Sequence, residues 1–214
     1  MEGMLSELDY FEPQVMQMSI LSEYDRYFTA TQAIVDGAPF EFFVKGVDGL
    51  YNDLNNSKLE VKVKITKENG TDLGDEDHVG PVNDLLNTMF KSMEMELKST
   101  MVTDPNTMYP FRSTIENLMN FNKLIFDTRM LSEGRTKDKS GKMEITDPQG
   151  EKVGLTERAS WFKKSRVISL IGRPHLDLFH QEKLIPANID MKLRVTPSSS
   201  DFLLKTAAPT DGHP

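Results

Sequence analysis

The chain has 214 residues, 38% of them hydrophobic and 27% charged, with a formal net charge of −8 and no cysteine. That length can fill one domain with a sizeable core, and the composition is that of an ordinary soluble globular protein. The lack of cysteine excludes disulfides, thiolate zinc sites and a cysteine nucleophile; the acidic balance opposes strong nucleic-acid binding, and no run reaches the roughly 18 apolar residues a membrane helix needs.

In chain order, residues 1–22 read as an N-terminal arm. "MEGMLSELDYFEP" carries acids where a signal peptide has a basic n-region, so secretion is not expected. Tyr10, Phe11, Val15, Met16, Met18 and Ile20 suit a segment that orders against a neighbour. Strands are predicted over 23–31, 39–46 and 58–66. In the last of these, Leu59, Val61, Val63 and Ile65 share one face, with Glu60, Lys62 and Lys64 on the other. A polar linker follows, 66–80. Its acidic stretch "TDLGDEDHVG" (71–80) fails as a calcium loop: counted from Asp72, position 3 is Gly74, position 6 is Asp77 and position 12 is Asn83. One helical turn is predicted within 81–90, leading into the strand "SMEMELKS" with Met93, Met95 and Leu97 inward.

A helix is predicted over 111–121. It opens on a Ser113-x-x-Glu116 capping box and places Ile115, Leu118 and Met119 on one face. A second polar linker, 133–156, precedes a helix at 155–165. Basic residues there surround Trp161 and Phe162, and read as a solvated face beside a core tryptophan rather than a base-stacking surface. Further strands are predicted over 165–172, 175–181 and 188–196, the last with Ile189, Met191, Leu193 and Val195 on one face. Residues 205–214 read as a flexible tail. About eight alternating strands with short helices in the loops predict a mostly β chain. The expected architecture is an antiparallel β-sandwich of jelly-roll type over 23–204.

The densest chemistry lies in "GRPHLDLFHQ" (172–181). On a strand, His175, Asp177 and Phe179 share one face and His180 takes the other. His175 and Asp177 would open a two-histidine, one-carboxylate metal site, but its third ligand would have to come from a distant segment. The other histidines, His78 and His213, sit in the acidic loop and the tail. The stretch therefore reads as a decorated strand. Neither GxxxxGK[ST], GxGxxG nor GxSxG occurs. No catalytic, cofactor-binding or metal-ligating residue is expected, and no enzyme activity. The thirteen methionines, a flexible filler of adaptable surfaces, point towards assembly.

Three blocks carry a resemblance. They are "VDGAPFEFFVKG…YNDLNNSKLEVKVKI" (35–65), "VGPVNDLLNTMFKSMEMEL" with "TMYPFRSTIENLMNF" (79–121), and "GLTERASWFKKSRVISLIGRPHLDLFHQEKLIPANIDMKLRV" running into "SSDFLL" (154–204). In order and spacing they resemble capsid proteins of Polinton (Maverick) elements and the related adintoviruses. The resemblance implies a virion structural protein that self-assembles, as homotrimeric capsomers, into an icosahedral shell with other capsid proteins. It implies a double jelly-roll major capsid protein, of which this chain matches the first jelly roll. A penton or minor capsid protein is the alternative that a lone jelly roll leaves open. Subunit contacts are expected at 71–80, at 133–156 and in the arm, with Arg135, Lys137, Lys139 and Lys142 as an inward-facing basic spot. Two other readings stand beside it: a metal-dependent jelly-roll enzyme using His175 and Asp177, and a β-sandwich ligand-binding module with Trp161, Tyr24 and Tyr27 in its cleft.

Overall fold

The computed structural model describes residues 20–35, 37–103 and 108–206. Its first half comprises β1 (Phe40–Val44), β2 (Tyr51–Asn52), β3 (Leu59–Val63), β4 (Val79–Pro81), α1 (Leu85–Thr88), β5 (Phe90–Leu97) and β6 (Thr100–Met101). There follow α2 (Tyr109–Asn120), α3 (Lys123–Asp127), α4 (Val153–Trp161), β7 (Ile168–Gly172), β8 (Ile185–Pro186), β9 (Met191–Pro197), α5 (Ser200–Leu203) and β10 (Leu204–Thr206). Single 3-10 turns occupy Arg129–Glu133, Lys163–Ser165 and Asp177–His180.

The largest sheet has four strands in the order β1-β9-β5-β6, all antiparallel. It is closed between distant parts of the sequence, Phe40 facing Val195 and Met93 facing the same valine from the other side. The period-two pattern puts Phe40, Met93, Met95, Met191 and Val195 into the core, where the rings of Phe40 and Phe90 meet edge to face at 6.4 Å. A bulge between Phe90 and Ser92 lets Phe90 stay inside while Lys91 turns to solvent. The other strands form pairs: β3 with β7, β4 with β10, and β2 with β8.

The strands predicted over 39–46, 58–66, 92–99, 165–172 and 188–196 correspond to β1, β3, β5, β7 and β9. The single helical turn before β5 is α1, and the helix at 155–165 is α4 with the 3-10 turn behind it. Two predicted strands do not form. Residues 23–31 contribute only an isolated bridge, Ala30 to Phe42, and 175–181 is a loop with a 3-10 turn. The expectation of antiparallel strands holds, but the structure is mixed rather than mostly β: the strands form small sheets with helices between them, and there is no closed barrel among the described residues. Among the described residues, no helix is long and apolar enough to cross a membrane. Of the arm 1–22, residues 1–19 lie outside the described residues, as does 207–214 of the tail.

The helix at 111–121 is the element that departs most from its sequence reading. It starts two residues earlier, with Met108 at its N-cap and Pro110 in its first turn, where a missing N–H costs nothing. Ser113 is therefore inside the helix, fully buried, and its hydroxyl donates to the Pro110 carbonyl at 2.9 Å. No capping box exists, and Glu116 is free for other work. The buried stripe is Tyr109, Ser113 and Asn117, one residue per helical turn. The apolar residues Phe111, Ile115, Leu118 and Met119 are all more than half exposed. The helix packs through its polar face.

Candidate functional site

That inverted helix carries a cluster of polar groups to one end of the core. Beneath it lies a hydrogen-bonded network. Asp84 accepts from Asn87 Nδ2 at 2.9 Å and from Asn117 Nδ2 at 3.3 Å. Asn87 Nδ2 also donates to Glu133 Oε2 at 3.3 Å, so two buried carboxyl groups share one amide. Arg135 lies 3.7 Å from Asp84 and stacks on the Phe126 ring at 4.4 Å. Burial, and then the Asp84 charge, push the Glu133 carboxyl up to about 7. Gly134 ends the 3-10 turn at φ 81, where a side chain would press a Cβ to 2.9 Å from that of Leu85.

Tyr109 connects this network to the surface. Its hydroxyl donates to Asn87 Oδ1 at 3.3 Å and accepts from the His175 backbone N–H at 3.1 Å. Burial raises its phenol well above the ordinary value. The contact pins the backbone of the one histidine that is buried among the described residues: His175 is 4% exposed.

The 3-10 turn at 177–180 explains how a second histidine arrives beside it. Phe179 N–H donates to the Leu176 carbonyl at 2.9 Å, and three residues per turn put Leu176 and Phe179 together in the core. Asp177 swings out to solvent and His180 comes round to the His175 side, with the two ring centroids 5.4 Å apart. A strand would have held those rings on opposite faces. From α2, Glu116 reaches both: Oε2 is 2.7 Å from His175 Nδ1 and 3.5 Å from His180 Nε2. The three ligand atoms all lie within 4.8 Å of one another.

Arg112, one helical turn before Glu116, binds the other carboxylate oxygen, Oε1, at 2.7 Å through Nε. Its Nη2 pairs with Asp177, and that bond raises the guanidinium pKa. Burial alone would raise the Glu116 carboxyl, but hydrogen bonds from His175 and Arg112 outweigh it and hold the group below its ordinary value. A carboxylate only accepts, so His175 Nδ1 carries the proton between them. Burial keeps His175 below the usual imidazole range against the pull of Glu116; burial and then Arg173 do the same for His180. Both rings are thereby neutral at physiological pH. The cluster opens into a cleft of about 380 Å³, lined by Arg112, Asn120, Phe121, Arg173 and Asp177 besides Glu116 and the two histidines.

The residues singled out from the sequence are dispersed differently. Asp177 is held by Arg112 rather than aligned with His175, and His78 is not in the cluster. The acidic loop is tied down by lysines, Asp72 to Lys64 at 3.0 Å, Asp77 to Lys67 at 2.7 Å and Asp75 to Lys164 at 3.1 Å. The expected basic spot does not form as one. Arg135 is drawn under Asp84, while Lys142 pairs with Glu151 at 2.5 Å. Arg158, read as part of a solvated face, is 1% exposed and donates to the Pro81 carbonyl at 3.0 Å. Tyr24 and Tyr27 are exposed and Trp161 packs against the core; none lines the cleft. The functional group that sequence reasoning missed is Glu116, whose spacing from Ser113 imitates a cap.

No family model, curated protein or solved structure matches this chain.

Proposed function

We propose that the chain is a capsid subunit of jelly-roll type that assembles with copies of itself, as a trimeric capsomer, and has no catalytic role. The observation that carries this reading is the resemblance of the ordered blocks 35–65, 79–121 and 154–204 to Polinton and adintovirus capsid proteins. Two features of the molecule agree with it. The four-stranded sheet joins β1 near the start of the resemblance to β9 near its end, which is how a sandwich brings distant strands together. The outer face of α2, with Phe111, Ile115, Leu118 and Met119, leaves apolar surface uncovered in a single chain, and such surface suits a subunit contact.

The test is the solution mass of the purified protein by light scattering on elution, at low and high salt. The reading expects three times the 24.3 kDa chain mass or a larger closed assembly, since ring and shell contacts are symmetric and repeated. A monomer at every concentration and salt, both alone and joined to a second jelly roll, rejects it.

A further inference from the structure

We propose that Glu116, His175 and His180 form a binding site for one divalent transition-metal ion, Zn2+ in the first instance, which clamps α2 to the 174–181 segment. The donor set is two imidazoles and one carboxylate, a combination that suits zinc and leaves a fourth position open. All three ligand atoms lie within 4.8 Å of one another, and the two Glu116 separations can be set against what the ion requires. Zinc bonds of about 2.0–2.2 Å at near-tetrahedral angles place ligand atoms about 3.3 Å apart. The Glu116 to His180 distance of 3.5 Å already meets this. The Glu116 to His175 distance of 2.7 Å is a hydrogen bond and opens by about half an ångström to admit the ion. The ion takes the place of the shared proton, which moves to Nε2 as His175 ligates through Nδ1.

The surroundings support the site. Arg112 occupies Glu116 Oε1 and turns Oε2 towards the rings, the outer-shell arrangement that orients a ligating carboxylate. Tyr109 fixes the backbone of His175. Of the two cationic neighbours, Arg112 is neutralised by Glu116 and Asp177, while Arg173 is held back by Asn55 Oδ1 at 2.7 Å and keeps its charge, which opposes the ion. The fourth position faces the cleft and so takes water. The inference is independent of whether the chain assembles.

The test uses tag-free full-length protein, stripped with a chelator and titrated with Zn2+ by calorimetry, with a parallel sample loaded with Co2+ for its visible spectrum. One Zn2+ per chain, a rise in melting temperature on binding and the absorption of four-coordinate Co2+ are expected. His180→Ala removes a ligand at the solvent edge and should weaken binding at least about tenfold, whereas His78→Ala should leave it unchanged. Glu116→Gln, judged folded by circular dichroism, gives a second reading of the same loss. No saturable binding near one equivalent, or an affinity in the His180→Ala and Glu116→Gln proteins equal to the parent's, overturns the proposal and leaves a hydrogen-bonded clasp.

Discussion

Glu133 sits 2% exposed beside Asp84, and the two share the Asn87 amide. Its carboxyl is moved from an ordinary 4.5 to about 7. Below pH 4.5 the group is protonated in both the folded and the unfolded chain, and its burial adds no pH-dependent cost. Between 4.5 and about 7 only the unfolded chain releases the proton, so stability falls as pH rises and stays reduced above that window. The shift sets a ceiling of about 3 kcal/mol on the loss. Glu133→Gln keeps the shape and an acceptor for Asn87 but never ionises. It should therefore match the parent near pH 4.5 and exceed it by about 1–3 kcal/mol at pH 8. Urea unfolding followed by the fluorescence of Trp161, the single tryptophan, measures both proteins across that range. A difference that does not change with pH, or a Gln variant less stable at pH 8, refutes the reasoning.

Three further outcomes are expected. Tyr109→Phe removes the acceptor for the buried His175 N–H and the donor to Asn87; denaturant unfolding should register a loss of about 1–3 kcal/mol. Arg158→Met leaves the Pro81 carbonyl and the Asp138 carboxylate, 3.5 Å away, without their buried guanidinium, and a loss of about 3 kcal/mol in the same assay is expected. Leu118→Glu, on the exposed face of α2, should alter unfolding by no more than about 0.5 kcal/mol. It should abolish any trimer seen by light scattering, and an unchanged trimer removes this face from the contact.

What the sequence made legible follows from which force dominates each segment. In β3, β5 and β9 one face is buried and the other wet, so the period of two is written in the residues themselves. Helix α2 has no such signal, because what it buries includes Ser113, satisfied within the helix by the Pro110 carbonyl, and Asn117, whose amide donates to Asp84 33 residues away. A pattern rule that sends apolar residues inward inverts such a helix, and it reads Ser113-x-x-Glu116 as a cap. The segment 175–181 did carry a warning: Phe179 fell on the polar face of the strand reading. The 3-10 turn resolves that conflict by bringing Phe179 inward with Leu176, and the same turn unites the two histidines. Glu116 joins them only through tertiary packing, at a separation of 59 residues from His175.

The clasp between α2 and the histidine turn is the feature on which the site stands, and the ring nitrogens report it directly. Long-range proton–nitrogen correlation spectra of the metal-free protein at neutral pH, with His175 assigned by its loss in His175→Gln, distinguish the tautomers of each imidazole. His175 should be protonated at Nδ1, with that proton slow to exchange because Glu116 Oε2 holds it at 2.7 Å inside the cleft. A His175 ring that averages between tautomers, with a proton exchanging as in open water, would mean that no such clasp exists.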